Sequence, residues 1–313
     1  MTSLRKIERD HLAADLAAVE TMIERLTDED VMMRLGLEER REELRRELES
    51  LQASEGTTAA AALFFGGRPV VGGLGIESEF GGKAVCTFQD LVAKQFAQEA
   101  GGLGQRGIVP NKAATRLHIT NVVRGSFGFQ LEELEPSLLD TSLKTAVDNV
   151  SRLIAGFGED DEDRFEAAVE NIDQRVLATA REFFSLMRQD GATFRIVVGE
   201  TDRSFDAALV ERAAERARVT EIEDVDEQVA GILAGVLPDA HLFEYRTDSD
   251  RGTIRGKVDK TIPTDDLAEL SRKWLEKPSQ AIVTVRRVLK AREVVRESFT
   301  LLRLVEAEST TAM

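Results

Sequence analysis

The segment of residues 116–134 constrains the fold more than any other part of this 313-residue chain. Apolar residues alternate with polar ones on both sides of Arg124-Gly125, at Leu117, Ile119 and Val123 before it and at Phe127, Phe129 and Leu131 after it. Alternation with a period of two around a Gly-containing break predicts a β-hairpin with one buried face. A face that carries two Phe needs a covering helix, so the segment favours an α+β fold.

Charge limits the classes of partner that the chain would bind. The sequence has 57 acidic and 41 basic residues, a net charge of -16, which disfavours non-specific binding to nucleic acid or to an anionic membrane. The single cysteine excludes an internal disulfide framework and fits a reducing compartment. The charged N-terminal segment is not a secretory signal, and no apolar run approaches the roughly 18 residues of a membrane span. We therefore expect a soluble, cytoplasmic protein without a membrane partner.

The first 53 residues predict a helical hairpin or coiled coil. Two heptad-like seams carry it, with Leu12, Leu16, Val19, Ile23 and Leu26 in the first and Leu37, Leu44, Leu48 and Leu51 in the second. The seams are out of phase, and a fold-back at about residues 27–36 accounts for this more simply than a stutter. Two isolated helices of this length are marginal in water, so we expect them to mediate oligomerisation or docking. Packing of the hairpin on its own domain is the alternative.

Residues 59–220 predict a central antiparallel α+β domain. Beside the 116–134 hairpin, we expect a second hairpin within 59–73 and a helix at 80–97. Further helices are predicted at 138–157, 163–188 and 206–217, with a strand at 193–198. The acidic run 159–163 is expected to cap the helix that follows it.

Residues 221–306 predict a small β-barrel, and 307–313 a disordered tail. The expected order is three strands, a helix at 265–275 and two strands, with Gly231 and Gly235 where the first strand could bend. This order resembles an OB-fold, and an SH3-like barrel or an open sheet would give the same pattern.

Most motifs that suggest chemistry fail a structural requirement. Residues 102–107 match GxGxxG, but a predicted helix precedes them where a dinucleotide site needs a strand. Asp248, Asp250 and Gly252 resemble the start of a calcium loop that lacks its final Glu. The remaining candidates lack partners with the required spacing. They are the scattered His11, His118 and His241, the hydroxyl of Ser126, the thiol of Cys86, and the carboxylate pairs Glu77/Glu79 and Glu132/Glu133. We expect the Cys86 thiol to be buried. We therefore predict no catalytic, cofactor-binding or metal-binding residues.

Basic residues cluster in the predicted barrel strands. Nine are present there, and the strongest candidates for binding an anion are Arg255, Lys257, Arg286, Arg287, Lys290 and Arg292. Phe243, Tyr245 and Phe299 could stack on bases, although Glu293 and Glu297 interrupt the positive charge. A solvated face or a subunit contact is the simpler interpretation.

The strand pair RLHITNVVRGSFGFQLEEL, the strand TFRIVVG and the C-terminal barrel together resemble an uncharacterised bacterial protein family with an RLxIxxVxxGSF pattern. The resemblance spans about residues 59–305 and rests on structural motifs. Some members are encoded near anti-phage defence genes, so it implies an accessory role in bacterial defence and transfers no catalytic residue.

Three functional hypotheses follow from the sequence. The first is a non-catalytic, homo-oligomeric assembly or adaptor protein that docks on a protein effector through its Leu-rich helices. The second is a nucleic-acid or nucleotide sensor that uses the basic strands of the barrel. The third is an enzyme whose site the sequence does not reveal.

Overall fold

A computed structural model describes residues 3–26, 30–52, 56–104, 106–123 and 127–306, without the side chains of 3–8, 50–52 and 123. It confirms the α+β class. The chain forms two compact units. The first contains the described residues up to Ala168 together with Arg175–Arg218, and the second contains Val169–Gln174 and the residues from Val219 onward.

The first unit begins with the predicted helical hairpin. Helix α1 spans Ser3–Arg25 and α2 spans Val31–Gln52. Next to the undescribed residues 27–29, the Arg34 side chain donates a hydrogen bond to the carbonyl oxygen of Leu26 at 3.3 Å. This contact ties the start of α2 to the end of α1.

An antiparallel five-stranded sheet forms the body of the first unit. Its strands are numbered together with a small separate pair as β1 Ala60–Gly67, β2 Val70–Val71, β3 Gly75–Ile76, β4 His118–Val123, β5 Phe127–Glu132, β6 Ala192–Val198 and β7 Thr201–Phe205. The order in the sheet is β4-β5-β1-β6-β7, and β2 pairs only with β3.

Strand β1 lies at the centre of the sheet, between β5 and β6. Its run Ala60 to Phe65 is buried on both faces, which explains why the sequence there is continuously apolar. The hairpin predicted within 59–73 is therefore wrong, because β1 and β2 pair with different partners. Strand β7, which follows β6 after a short turn, was not predicted.

Helices cover both faces of this sheet. Besides α1 and α2, the chain before residue 220 forms the helices α3 Ser78–Glu99, α4 Ser142–Phe157, α5 Glu162–Val169, α6 Gln174–Gln189 and α7 Ala207–Val219. On one face, aromatic rings of helices and strands pack together, with 4.4–6.2 Å between ring centroids. The rings are those of Phe157, Phe183, Phe184, Phe194 and Phe205. On the other face, α1 contacts β1 and β6 beside a small apolar cluster of Ala62, Phe64 and Val197.

The single helix predicted at 163–188 is wrong, because the chain forms α5 and α6 with a break between them. Within this break, Ile172 is buried, and like the rest of Val169–Gln174 it belongs to the second unit. The predicted cap of α5 is confirmed, since the Asp161 carboxylate accepts the backbone N–H of Asp163 at 2.9 Å.

The second unit is a closed barrel. Its elements are β8 Thr220–Leu237, β9 Leu242–Thr247, β10 Thr253–Val258, α8 Thr264–Trp274, β11 Pro278–Lys290 and β12 Glu293–Glu306. The strand order is β10-β12-β11-β8-β9, and β10 and β12 are parallel. A long first strand that pairs with both the second and the fourth, and a helix between the third and fourth, correspond to the OB-type barrel that the sequence suggested.

Two glycines allow the barrel to close. A Cβ at Gly256 would lie 2.0 Å from the carbonyl oxygen of Phe299, and one at Gly231 would lie 2.0 Å from that of Arg246. At both positions the backbone of the neighbouring strand lies closer to the glycine than a residue with a Cβ atom would allow. A bend of β8 at Gly231 or Gly235, which the sequence suggested, stays a prediction.

The 116–134 hairpin is confirmed as the antiparallel pair β4–β5, while its turn, Arg124-Gly125-Ser126, lies outside the described residues. The expectation that β4 buries one face is wrong. Ile119 is 54% exposed and Val122 is 46% exposed, because β4 is an edge strand and no helix among the described residues covers these side chains.

Candidate interaction surfaces

The seam of the helical hairpin is packed within the chain. Leu44 has no exposed surface, and the other seam residues with described side chains are partly buried, namely Leu12, Leu16, Val19, Ile23, Leu26, Leu37 and Leu48. The side chain of Leu51 lies outside the described residues. An ion pair between Arg45 and Glu20 at 2.9 Å links the two helices beside the seam. An intermolecular role for the seam residues stays a prediction, and only their remaining exposed surface is available for it.

The tip of the hairpin carries exposed apolar side chains that the seam does not use. We call them the tip patch: Met22, Val31, Met32, Met33 and Leu35, which are 54%, 63%, 83%, 61% and 63% exposed. Large apolar side chains exposed together mark interaction sites more often than isolated ones do. The sequence signal was the run Val31-Met32-Met33 at the start of α2, next to the fold-back and outside both seams.

The basic residues of the barrel are brought onto neighbouring strands, but most bind acidic side chains. Arg286 makes a bidentate pair with Asp224, with both N–O distances 2.7 Å. Arg255 binds Glu244 at 2.8 Å, and the Lys257 ammonium donates to the Asn171 side chain at 3.0 Å. The Arg286–Asp224 pair crosses from β11 to the acidic N-terminal half of β8, so β8 neutralises positive charge on β11.

Arg287 belongs to a ring of alternating charges on the outside of the barrel. It binds Glu227 and, at 2.9 Å, Glu297, and Arg251 binds the same two carboxylates at 2.6 and 3.8 Å. The hydrogen bond from Arg251 lowers the pKa of Glu227, and Arg287 lowers it further. All four side chains are at most about one-third exposed. The ring therefore joins β8, β11, β12 and the β9–β10 turn.

Lys290 and Arg292 lie apart from these pairs, at the β11–β12 turn. Lys290 ends β11 opposite Glu293, and Arg292 is exposed in the turn with φ of 71°. The six candidate anion-binding residues thus do not form one uninterrupted positive surface. Anion binding stays a prediction.

The aromatic residues of the barrel face inward. Phe243 and Tyr245 are buried in its core, and the Tyr245 hydroxyl donates to the carbonyl oxygen of Ser279 at 2.7 Å. Burial raises the pKa of Tyr245 above its ordinary value. Phe299 packs against the same core, with the Arg251 guanidinium 6.0 Å from its ring centroid. On the outer face of β9 and β10, no described aromatic side chain is placed to stack on a base.

The GxGxxG segment is held as a structural loop. Arg175 donates to the carbonyl oxygens of Gly104 and Gly107 at 2.9 and 2.7 Å, while Gln105 lies outside the described residues. A phosphate cradle requires backbone N–H groups that point toward the ligand, whereas two carbonyl groups of this loop point toward a cation. The fixed loop connects α3 to the segment that precedes β4.

The remaining candidates are dispersed. Asp248 and Asp250 lie in the β9–β10 turn, and His11, His118 and His241 are on separate elements. Cys86 is exposed on α3, so the expectation that its thiol is buried is wrong: the residue falls on the solvent side of a helix whose opposite face is apolar. Ser126 lies outside the described residues.

Within the described part of the chain, no group of three or more His, Cys, Asp or Glu side chains is arranged to hold a metal ion. None of the described helices has both the length and the apolar character of a membrane span. No family model, curated protein or solved structure matches this chain.

Proposed function

We propose that this chain is a non-catalytic assembly protein that self-associates through the tip patch and presents its barrel and sheet to a protein effector. The observation that supports this most directly is the tip patch itself. Its five large apolar side chains are more than half exposed, whereas the seam beside them is packed within the chain.

A second copy is the partner that the energetics favour. Full burial of one Val, Leu or Met side chain stabilises by about 1.5–3 kcal/mol. Val31, Met32 and Leu35 fall within one arc of roughly 100° around α2. In a two-fold interface six such side chains, each roughly two-thirds exposed, contribute on the order of 6–12 kcal/mol. Association costs about 4–15 kcal/mol. A partner without an apolar surface of its own buries less apolar area than a second copy does, so a second copy is favoured as a weak, concentration-dependent dimer.

The charge of the chain also bears on the partner. A net charge of -16 disfavours an anionic membrane as the surface that covers the tip patch. The sensor hypothesis receives support from the OB-type barrel, but the paired basic side chains and the inward-facing aromatics argue against it. The accessory role in bacterial defence that the resemblance implies stays a prediction.

The oligomeric state of the full chain tests the proposal. We expect sedimentation velocity to give a mass that rises with concentration toward a dimer, and we expect the double variant Met32→Glu/Leu35→Glu to remain a monomer. Leu74→Glu is the matched control, because Leu74 is 90% exposed at the β2–β3 turn, outside the tip patch. A wild-type monomer at every concentration, or a dimer that the double variant leaves intact, would refute self-association through the tip.

A further inference from the structure

Strand β4 is an open edge of the sheet in the first unit. Residues 118–122 are all exposed, and apart from His118 none has an ionisable side chain. Among the strands that the structure describes, only β5 pairs with β4. Alternate N–H and C=O groups along its outer side therefore point toward solvent, as they do in any edge strand.

The opposite edge of the same sheet is protected. In β7, Asp202 forms a bidentate ion pair with Arg195 at 2.6 and 2.7 Å, and the Arg203 guanidinium donates to the carbonyl oxygen of Gly158 at 2.8 Å. Charged side chains and side-chain contacts of this kind are common means of preventing edge-to-edge pairing. Among the described strands, β7 thus carries charged side chains engaged in contacts, whereas residues 118–122 of β4 include no Asp, Glu, Lys or Arg.

An apolar surface continues from β4 onto its neighbour. Val122 lies opposite Phe129 and Ile119 lies opposite Leu131, so these side chains share one face of the sheet. Phe127 and Phe129 are only partly buried, and their ring centroids are 5.6 Å apart. This face can receive the alternate side chains of an additional strand.

We propose that β4 binds an extended peptide segment of a partner protein as a sixth strand, with apolar side chains of the peptide packed against Ile119 and Val122. The backbone of an edge strand can be satisfied along its length only by another strand, which defines the conformation of the ligand. The exposed apolar side chains of β4 define its composition, with β-branched or aromatic residues at alternate positions.

A second copy of this chain fits the same edge poorly. The register shifts between Ile119 and Asn121, which leaves Thr120 as an extra residue in the middle of β4. In a two-fold β4–β4 pair both strands would carry the bulge at the centre of the ladder, whereas a peptide contributes a regular strand to the pair.

A phage library of random octapeptides, selected on the immobilised full-length chain, tests the proposal. We expect enrichment of peptides with β-branched or aromatic residues at alternate positions, and binding of the synthetic consensus peptide in a fluorescence-anisotropy titration. Val122→Lys should weaken that binding about tenfold or more, because a charge on an edge strand disfavours pairing. Ile119→Lys is a second variant with the same expected effect, and thermal melting establishes that each variant is folded.

Met32→Lys is the matched control, since Met32 is 83% exposed and belongs to the tip patch. We expect it to leave peptide affinity unchanged, which separates this proposal from self-association of the hairpin. The proposal is overturned if no peptide is enriched, or if both β4 variants bind the consensus peptide as well as the wild type. It is also overturned if light scattering shows a dimer that Val122→Lys disrupts and Met32→Lys does not, because the occupant would then be a second copy.

Discussion

Closure of the barrel depends on Gly256, and its replacement by Ala is a sharp test of the architecture. A Cβ at this position would lie 2.0 Å from the Phe299 carbonyl oxygen, and real Cβ atoms essentially never approach a neighbour closer than 3.0 Å. The obstacle is backbone, so β10 and β12 must separate by about 1 Å.

The cost of this separation follows from the short β10–β12 pairing. It joins only three residue pairs, beginning at Gly256 and Phe299. A backbone hydrogen bond contributes about 0.5–1.5 kcal/mol net, so disrupting up to three of them should destabilise the barrel by about 1.5–4.5 kcal/mol. With an m-value of about 1–3 kcal/mol/M in urea, the unfolding midpoint should fall by about 1–2 M.

Trp274 makes this change measurable. It is the only tryptophan of the chain and is 9% exposed at the end of α8, in the barrel unit. Its fluorescence during urea denaturation therefore reports the transition of the barrel alone. Gly235→Ala is the matched control, because a Cβ at Gly235 in β8 meets nothing within 4 Å. We expect this variant to keep or slightly raise the midpoint. An unchanged midpoint for Gly256→Ala, or an equal loss in both variants, would refute the reasoning.

Three further predictions concern other parts of the molecule. Leu44→Ala should destabilise the helical hairpin by about 2–5 kcal/mol, because Leu44 is fully buried; hydrogen exchange should then show faster exchange in α1 and α2, and unchanged protection would contradict the packed seam. Because Arg251 lowers the pKa of Glu227, this carboxylate stabilises the barrel at neutral pH, and the contribution is lost as the pH falls below the ordinary range of Glu. The urea midpoint of Glu227→Gln should therefore depend less on pH between about 3 and 6 than that of the wild type. Equal pH dependence of the two midpoints would exclude this role. Titration with single-stranded DNA at about 50 and 200 mM salt should show no binding; binding that weakens with salt and is lost in Arg255→Ala would favour the sensor hypothesis instead.

Periodicity predicted the elements whose packing is simple. The β4–β5 pair, the helical hairpin and the order of the barrel elements along the chain all follow from alternation or heptads, since those patterns record which side chains are buried. The same reasoning failed at Ile119, because alternation shows that a strand has two different faces without showing that another element covers either one.

Patterns of charge concealed other features. The first residues of β8 are largely acidic, so their composition does not mark the start of the strand at Thr220. Their partners on β11 lie about 60 residues away, at distances such as 2.7 Å between Asp224 and Arg286. In the sequence they form separate acidic and basic runs, so the basic residues suggested a candidate anion-binding face where the fold forms ion pairs. The sequence also did not indicate that the tip patch is exposed, because an apolar run at the start of a helix is ordinarily assumed to be buried.

The segment Val169–Gln174 has a consequence for how the protein can be divided and synthesised. It belongs to the barrel unit although helices of the other unit precede and follow it. Glu170 binds Arg296 at 2.8 Å, and Asn171 accepts a hydrogen bond from Lys257. A fragment cut at residue 219 would leave these contacts behind. During translation, the segment emerges roughly 50 residues before the first strand of the barrel, so these contacts must form after both flanking helices have left the ribosome. The chain therefore passes between the two units three times, after Ala168, after Gln174 and after Arg218. No single cut in the gene separates the two units.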